Sequence, residues 1–285
     1  MTAQADPPVA GAEGGTGEPL PRLNTLWVDG ALTYVEQVCL LSAVRLGHPV
    51  TLYTYFGVDR VPPGVEVRDG REVMAESRLL KHREKNSWSL GSNLFRYQLM
   101  REARGVWIDA DLYFLKPLRL DGRELLFGLQ KPGLINGAVF YTSATHPLLE
   151  ALFAHLSQEH LIPHWLPWRK RIFYELRPRL GLRPLTLEEH RWGIAGPRAI
   201  TYVARELDLL ERAEPADVFY PYGPKRARDA FDPGSDIRAR LSGRTVTVHL
   251  WNEIIKSLKT MPPPQGSFMA EICEAHGVDP CAGAA

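Results

Sequence analysis

The sequence predicts an α/β fold, a single domain built around a mostly parallel central sheet. Three features carry that expectation. Short apolar runs of strand character alternate with segments of helical periodicity through the first half. Gly and Pro fall between those segments and punctuate them. No linker-like stretch divides the middle, so 285 residues with 45% hydrophobic content read as one core.

The elements follow in order. LNTLWV at 23–28 is a short apolar run closed by Asp29-Gly30, the pattern of a strand and a turn. Thr33 and Glu36 have the spacing of a capping box. The helix VEQVCLLSAVRL stops at Gly47, a residue suited to the left-handed conformation that ends helices. PVTLYTYF at 49–56 alternates with period two, and GVEVRD at 64–69 supplies a third strand. A helix is expected over 92–104, with Phe95, Leu99 and Ala103 along one face and Gly105 as its stop. Val106, Trp107 and Ile108 then form a buried strand that runs into Asp109 and Asp111. ELLFGLQ and LINGAVFYT read as strands, and an amphipathic helix begins near His146-Pro147. The second half is irregular up to Gly196-Pro197, where Pro197 suits the first position of a helix. RTVTVHLWN at 244–252 reads as a last core strand. The domain is expected to span 23–276, between a flexible leader at 1–22 and a flexible tail at 277–285.

Composition narrows the function. A formal net charge of +1 makes no demand for nucleic acid as a partner. No apolar run approaches the roughly 20 residues of a spanning helix. The N-terminus has neither the basic nor the apolar region of a secretory signal. Cys39, Cys273 and Cys281 form no metal-spaced cluster, and such thiols suit a reducing, cytoplasmic compartment. Cys39, inside an apolar helical pattern, reads as core packing.

The chemistry concentrates in GVWIDADLYFLKPL, residues 105–118. Asp109 and Asp111 sit one residue apart, with no Lys or Arg among their nearest sequence neighbours. An extended backbone at 108–111 would point both carboxylates to one side. At the end of a buried strand they repel each other and resist desolvation, so one would protonate unless a cation joined them. Mg²⁺ or Mn²⁺, which prefer hard oxygen ligands, would remove that conflict. The carboxyl end of a strand in an open α/β sheet is also where such folds bind ligands. The alternative is a polar strand end, with one Asp capping a turn and the other in water. The apolar residues on both sides fit that alternative poorly.

SNLFRYQLMREARGVWIDADLYFLKPL resembles the core signature of DXD-motif glycosyltransferases: a Ser-Asp-x-x-Arg helix, a Gly-aromatic-x-Asp-x-Asp strand end, then a Pro after a short apolar run. The resemblance is to family 32 and the bacterial capsular polysaccharide glycosyltransferases, and more remotely to the glucosyltransferase cores of clostridial toxins. LNTLWVDGALTYVEQVCLLSAVRLGHPVTLYTY is similar to the family's opening strand and helix. LINGAVFYTSATHPLL, GPRAITYV and HLWN resemble later landmarks in the same order, which extends the likeness over roughly residues 23 to 255. It implies a GT-A (Rossmann-like) fold, a nucleotide-diphosphate sugar as donor, and transfer with retention.

Other positions take roles from their chemistry and from this likeness. Asn93 and Arg96, three apart, share a helix face in the first turn of the expected helix, where free N–H groups and the dipole favour anions. An N-cap polar residue and a solvated Arg would leave the same spacing. The resemblance implies contact with donor sugar or phosphate, and here the chain departs from the family, which usually has Asp where this chain has Asn93. Asn keeps hydrogen bonding to hydroxyls and loses the charge, which leaves the donor sugar, and full activity, open. Trp27 is core-like by position; the resemblance places it, with Val28, at the nucleotide base, a stacking role. Asp29 replaces a Gly often found there.

His249, at the end of a β-branched strand, reads either as a satisfied core or surface residue or as a neutral imidazole ligand to Mn²⁺ beside the two carboxylates. Trp251 and Asn252 would neighbour the diphosphate. Asn136 and Gly137 resemble the family position beside donor sugar and acceptor, with a β-bulge as the alternative. HWLPWRKRIFYELRPRL at 164–180 mixes Trp165, Trp168, Phe173 and Tyr174 with Arg169, Lys170, Arg171, Arg177 and Arg179. An acceptor groove, a surface lying on anionic lipid and a solvated amphipathic helix all fit that mixture.

The expected activity is transfer of a sugar from a nucleotide-diphosphate donor of the UDP-sugar kind to a hydroxyl of a glycan or glycolipid. Asp109, Asp111 and Arg96 would be catalytic; Asp109, Asp111 and His249 would hold the divalent metal. The expected location is cytoplasmic, at most peripheral at the inner face of the membrane. Two alternatives stay open. One is a non-catalytic sugar-nucleotide-binding relative, which Asn93 suggests. The other is a metal-dependent nucleotidyltransferase or phosphohydrolase, which would ordinarily bring further carboxylates or a second metal.

Overall fold

The computed structural model describes residues 18–83, 86–156, 162–190 and 193–282. The chain runs from β1 (Leu23–Leu26) through α1 (Tyr34–Arg45) to β2 (Val50–Thr54) and β3 (Val65–Asp69), then through α2 (Ser89–Arg101) to β4 (Val106–Ile108). These four strands are parallel and lie in the order β3-β2-β1-β4. β5 (Leu112–Phe114) leaves the sheet; β6 (Leu125–Lys131) and β7 (Leu134–Thr142) return to it as an antiparallel pair, with β7 antiparallel beside β4. The expected α/β architecture with a mostly parallel central sheet is the one observed.

Local chemistry explains the elements. The Thr33 amide and hydroxyl both donate to Glu36 Oε2, at 2.8 and 2.5 Å, so α1 starts at its capping box. Every residue of β2 is buried, as befits a parallel strand covered on both faces. The edge strand β3 instead exposes Glu66 and Val67, and a charged edge discourages further pairing. Gly105, at φ +113°, leads into β4; a Cβ there would stand 2.5 Å from the Arg22 carbonyl oxygen, which only glycine avoids.

The boundaries of α2 differ from expectation, and the difference matters to the site. The helix begins at Ser89, three residues before the expected start, because Gly91 N–H is taken by the Leu80 carbonyl from a neighbouring segment. It ends at Arg101, where Ala103 turns to φ +52°. Asn93 and Arg96 therefore lie past its first turn, and the helix-terminus argument for anion binding does not apply to them.

The second half adds α3 (Pro147–Leu156), α4 (Trp168–Leu176), α5 (Pro197–Glu206), α6 (Ala216–Phe219), β8 (Thr247–His249), α7 (Asn252–Ile255) and α8 (Phe268–His276). α5 begins with Pro197 at its first turn, as expected. β8 is much shorter than the expected strand at 244–252, and it pairs antiparallel with β5 outside the six-stranded sheet. Two apolar layers sandwich the main sheet. One joins α1, β5, β8 and α8 through residues such as Val35, Leu40, Val248 and Met269. The other joins α2, α3 and α5 through Phe95, Leu99, Leu152 and Ile200.

Residues 1–17 of the expected leader and 283–285 of the expected tail lie outside the described residues. At the described parts of those ends, Arg22 donates to Thr51 and Glu66, and Val278 is buried. Cys39 and Cys273 are buried, Cys281 is exposed, and all three are free thiols. Among the described residues, no helix is long and apolar enough to cross a membrane.

Candidate metal centre

β1 and β4 are parallel neighbours, so Trp27 and Val28 after the one and Asp109 to Asp111 after the other emerge at the same carboxyl edge of the sheet. The extended backbone expected at 108–111 is absent. β4 ends at Ile108, Asp109 N–H binds the Ala138 carbonyl at 2.8 Å, and a turn closes from Leu112 N–H to Asp109 O at 3.3 Å. The carboxylates converge through that turn rather than through strand alternation. β5 then pairs with β8, which places His249 opposite Leu112, while Leu250 N–H reaches Asp111 O at 3.0 Å.

Asp109 is partly exposed, its side chain 33% accessible. Its Oδ1 accepts from Trp107 Nε1 at 2.8 Å and from Arg96 Nη2 at 3.0 Å. The sequence shows no cationic neighbour for the aspartates; the fold supplies one, because α2 and β4 run back past each other and return Arg96 to Asp109. The guanidinium is buried, gives Nη1 to Asn93 Oδ1 at 2.9 Å, and lies 4.9 Å from the Trp107 ring centroid. Gly137 makes room for it, since a Cβ there would stand 2.6 Å from Arg96 Nη1. Asn93 is in turn wedged against Gly196, whose added Cβ would lie 3.0 Å from Asn93 Oδ1.

Asp111 is buried and held differently. Its Oδ2 accepts from the Asn252 amide at 2.6 Å and faces His249 Nε2 at 3.3 Å. Burial by itself would raise the Asp111 carboxyl; the His249 charge and these hydrogen bonds outweigh it and hold it below the usual range. Burial would likewise lower His249, and Asp111, with help from Asp109, raises it above its ordinary value. The imidazole lies 4.1 Å from the Trp251 ring centroid. Trp251 itself adopts φ +60°, a left-handed conformation uncommon for a bulky residue, and its Nε1 donates to the Tyr222 carbonyl at 3.3 Å. That reversal is what aims the Asn252 amide back at Asp111.

Asp109, Asp111 and His249 each offer one ligand atom, and the three atoms lie within 4.8 Å of one another. Hydrogen bonds from neighbouring residues fall on one oxygen of each carboxylate, Oδ1 of Asp109 and Oδ2 of Asp111. His249 Nδ1 is buried without a hydrogen-bond partner among the described residues. Two carboxylate oxygens and an imidazole nitrogen form a donor set suited to a divalent ion such as Mn²⁺ or Mg²⁺. The residues present therefore fit a metal, and no other group of three such side chains gathers among the described residues.

No protein-family model matches the chain, and no curated protein matches it. Forty chains of solved structures do. One of them, described as PaToxG Glycosyltransferase, is similar over 66% of this chain and 70% of its own, with a TM-score of 0.43 and 11% identity.

The other expected residues fall at varying distances from this centre. Trp27 lies beyond the end of β1, half-buried, with Lys259 Nζ 5.5 Å from its ring centroid. Val28 is buried, and its carbonyl accepts from the amides of Tyr55 and Phe56 and from Thr54 Oγ1, which ties the ends of β1 and β2 together. Asn136 Oδ1 accepts from Ala138 N–H at 2.8 Å, and the β6–β7 register shifts at Gly128, opposite Asn136. Bulge and proximity to the site thus coexist there, since Gly137 packs on Arg96.

Two residues of the site escaped the sequence. Lys259 Nζ donates to Glu36 Oε1 and to Asn252 Oδ1, each at 2.5 Å, and Glu36 is fully buried. Glu36 was legible only as half of a capping box, a role filled by its other oxygen. Lys259 sits in an irregular stretch where no spacing marks it out.

Proposed function

We propose that this chain is a metal-dependent glycosyltransferase of GT-A type, spanning about residues 23–276. It would move a sugar from a uridine diphosphate donor to a hydroxyl of a glycan or glycolipid. The observation that carries the proposal is the convergence of Asp109, Asp111 and His249 at the carboxyl edge of β4, beside Trp27 and a buried Arg96. A divalent ion bound by these three would neutralise the charge that builds on the departing diphosphate.

The chain's own groups supply the rest. Arg96 is a fixed positive charge, oriented by Asn93, Asp109 and Trp107, and a preorganised charge needs no rearrangement during reaction. Trp27, followed by Val28, offers an aromatic face for the base. Trp251 and Asn252 would border the diphosphate, and Asn136 and Gly137 the donor sugar and acceptor. Retention belongs to the proposal because the resemblance implies it. Among the described residues no second acidic cluster joins the site, which disfavours a two-metal phosphohydrolase or nucleotidyltransferase.

Calorimetric binding of UDP with and without Mn²⁺, in wild type and Asp111→Ala, tests the metal. Mn²⁺ should tighten UDP binding only when Asp111 is present; no metal effect in wild type would end the proposal. Incubation with UDP-sugars and Mn²⁺ without acceptor should release free sugar and UDP slowly, whereas sugar phosphate and UMP would indicate phosphohydrolase chemistry. Asn93 favours one second reading, a non-catalytic relative. Tight donor binding without turnover in any acceptor screen would select it.

A further inference from the structure

Helix α4 presents its faces in reverse. Lys170, Arg171, Tyr174 and Arg177 are half-buried on the side toward the body of the protein, with the Tyr174 ring 5.4 Å from that of His190. Trp168, Ile172, Phe173 and Leu176 face outward, Trp168 at 65% exposure, and Leu180 and Leu182 continue the apolar surface beyond the helix. Spacings of four and eight residues put Trp168, Ile172 and Leu176 along one face, and Phe173 flanks them. These six make up most of the ten large apolar side chains exposed among the described residues, so the patch is a concentration and not scatter.

Charge identifies what covers it. Residues 168–183 carry six basic side chains and one acidic, Glu175; Arg183 pairs with Glu189, Lys170, Arg171 and Arg177 are half-exposed, and Arg169 and Arg179 stand exposed. The Arg169 guanidinium lies 5.3 Å from the Trp168 ring centroid, and that of Arg177 lies 6.0 Å from the Phe173 ring. Arg169 thus stands on the apolar face itself, and Arg177 at its inner edge. A second copy of the chain would bring the same positive surface to the contact, and like charges would oppose it. An apolar face of Trp and Phe with exposed Arg169 and Arg179 beside it matches a membrane interface of anionic lipid, where side chains enter the acyl boundary and cations meet headgroups.

We propose that α4 and residues 177–183 form a docking surface for an anionic lipid bilayer, on which the protein lies without spanning it. The proposal rests on the exposed surface of α4 and not on the transfer reaction. The test uses the full chain in sedimentation with vesicles of pure phosphatidylcholine and of phosphatidylcholine with about one third phosphatidylglycerol. Binding should be at least about 10-fold tighter to the anionic vesicles and should weaken by a similar factor as salt rises from about 0.1 to about 0.5 M. Ile172→Ser with Phe173→Ser should reduce it at every salt concentration, and Arg169→Gln with Arg179→Gln should remove mainly its salt dependence. Trp168 emission should shift to the blue on anionic vesicles. Unchanged thermal melting and unchanged UDP–Mn²⁺ binding in these variants would separate surface loss from misfolding. Equal binding to neutral vesicles overturns the proposal, as does no binding to either. A dimer in light scattering that the serine variants disperse, without vesicle binding, overturns it in favour of a second copy.

Discussion

The two aspartates are separated by one residue, yet the halves of the site that hold them are built on different principles. Asp109 belongs to a half assembled from nearby sequence: Asn93, Arg96 and Trp107, with Gly137 giving room. Its cation is a guanidinium whose planar fork spans Asn93 and Asp109. Asp111 belongs to a half assembled across the chain from His249, Asn252, Lys259 and Glu36. The cation facing Asp111 is an imidazole, which can lose its proton and become a ligand. One half is a permanent frame; the other can exchange its own charge for that of a metal.

The long-range half is the easier to break, because its outermost link is a buried ion pair. Lys259→Met leaves Glu36 fully buried without its cation, and breaking such a pair from one side costs about 3–5 kcal/mol. The expected result is a melting temperature lower by roughly 10 °C, measured by calorimetry. Removing both partners in Glu36→Gln with Lys259→Met should recover much of the loss. A double variant no more stable than the single one would mean that Lys259 acts through Asn252 alone.

Within the site itself, Asp111→Ala should exceed, in metal-dependent UDP affinity, the roughly 100-fold that outer partners of metal ligands reach. His249→Gln should fall short of that, since two carboxylates remain. If His249→Gln costs as much as Asp111→Ala, the imidazole contributes more than ligation and the distinction between the halves collapses.

How much of this was legible in the sequence follows the same division. The alternation of strands and helices, the capping box at Thr33, the strand at 106–108 and Pro197 at a helix start are local patterns, and local patterns survive without knowledge of tertiary contacts. Arg96 and Asn93 were legible as a spaced pair, though their helix start was misplaced because a tertiary bond to Leu80 extends α2 backward. The strand at 244–252 was overextended because β-branched residues mark strand propensity and not where a partner ends; β5 offers three residues of pairing. Lys259 was invisible for a plainer reason. A lone Lys in irregular sequence carries no signal until the fold brings Glu36 and Asn252 to it.

The frame around Asp109 should tolerate less chemistry than its polarity suggests. Arg96→Lys keeps the charge but loses the fork that spans Asn93 and Asp109, and at such sites the exchange is not conservative. About a 10-fold loss of UDP–Mn²⁺ affinity is expected, on the order of 1.4 kcal/mol, with melting little changed. Asn93→Asp gives the guanidinium a second carboxylate. A gain in turnover there, at unchanged donor affinity, would trace the effect of Asn93 to chemistry rather than binding.

The smallest effect uses pH and addresses the Asp111 half through its paired His249. In the metal-free protein the raised His249 contributes stability that is complete below its unfolded value and lost as pH rises through its folded one. The lowered Asp111 contributes stability that is complete above the ordinary carboxylate range and lost as pH falls through its folded value. Their pairing therefore supports the metal-free protein in mildly acidic solution and fades on the alkaline side. Mn²⁺ needs His249 neutral, so its stabilisation should grow as the pairing fades. Melting followed from about pH 5.5 to about pH 8.5 should show an Mn²⁺-induced rise that increases by a few degrees. His249→Gln should flatten that dependence. A slope that survives in His249→Gln would place the proton-coupled group outside the Asp111 half.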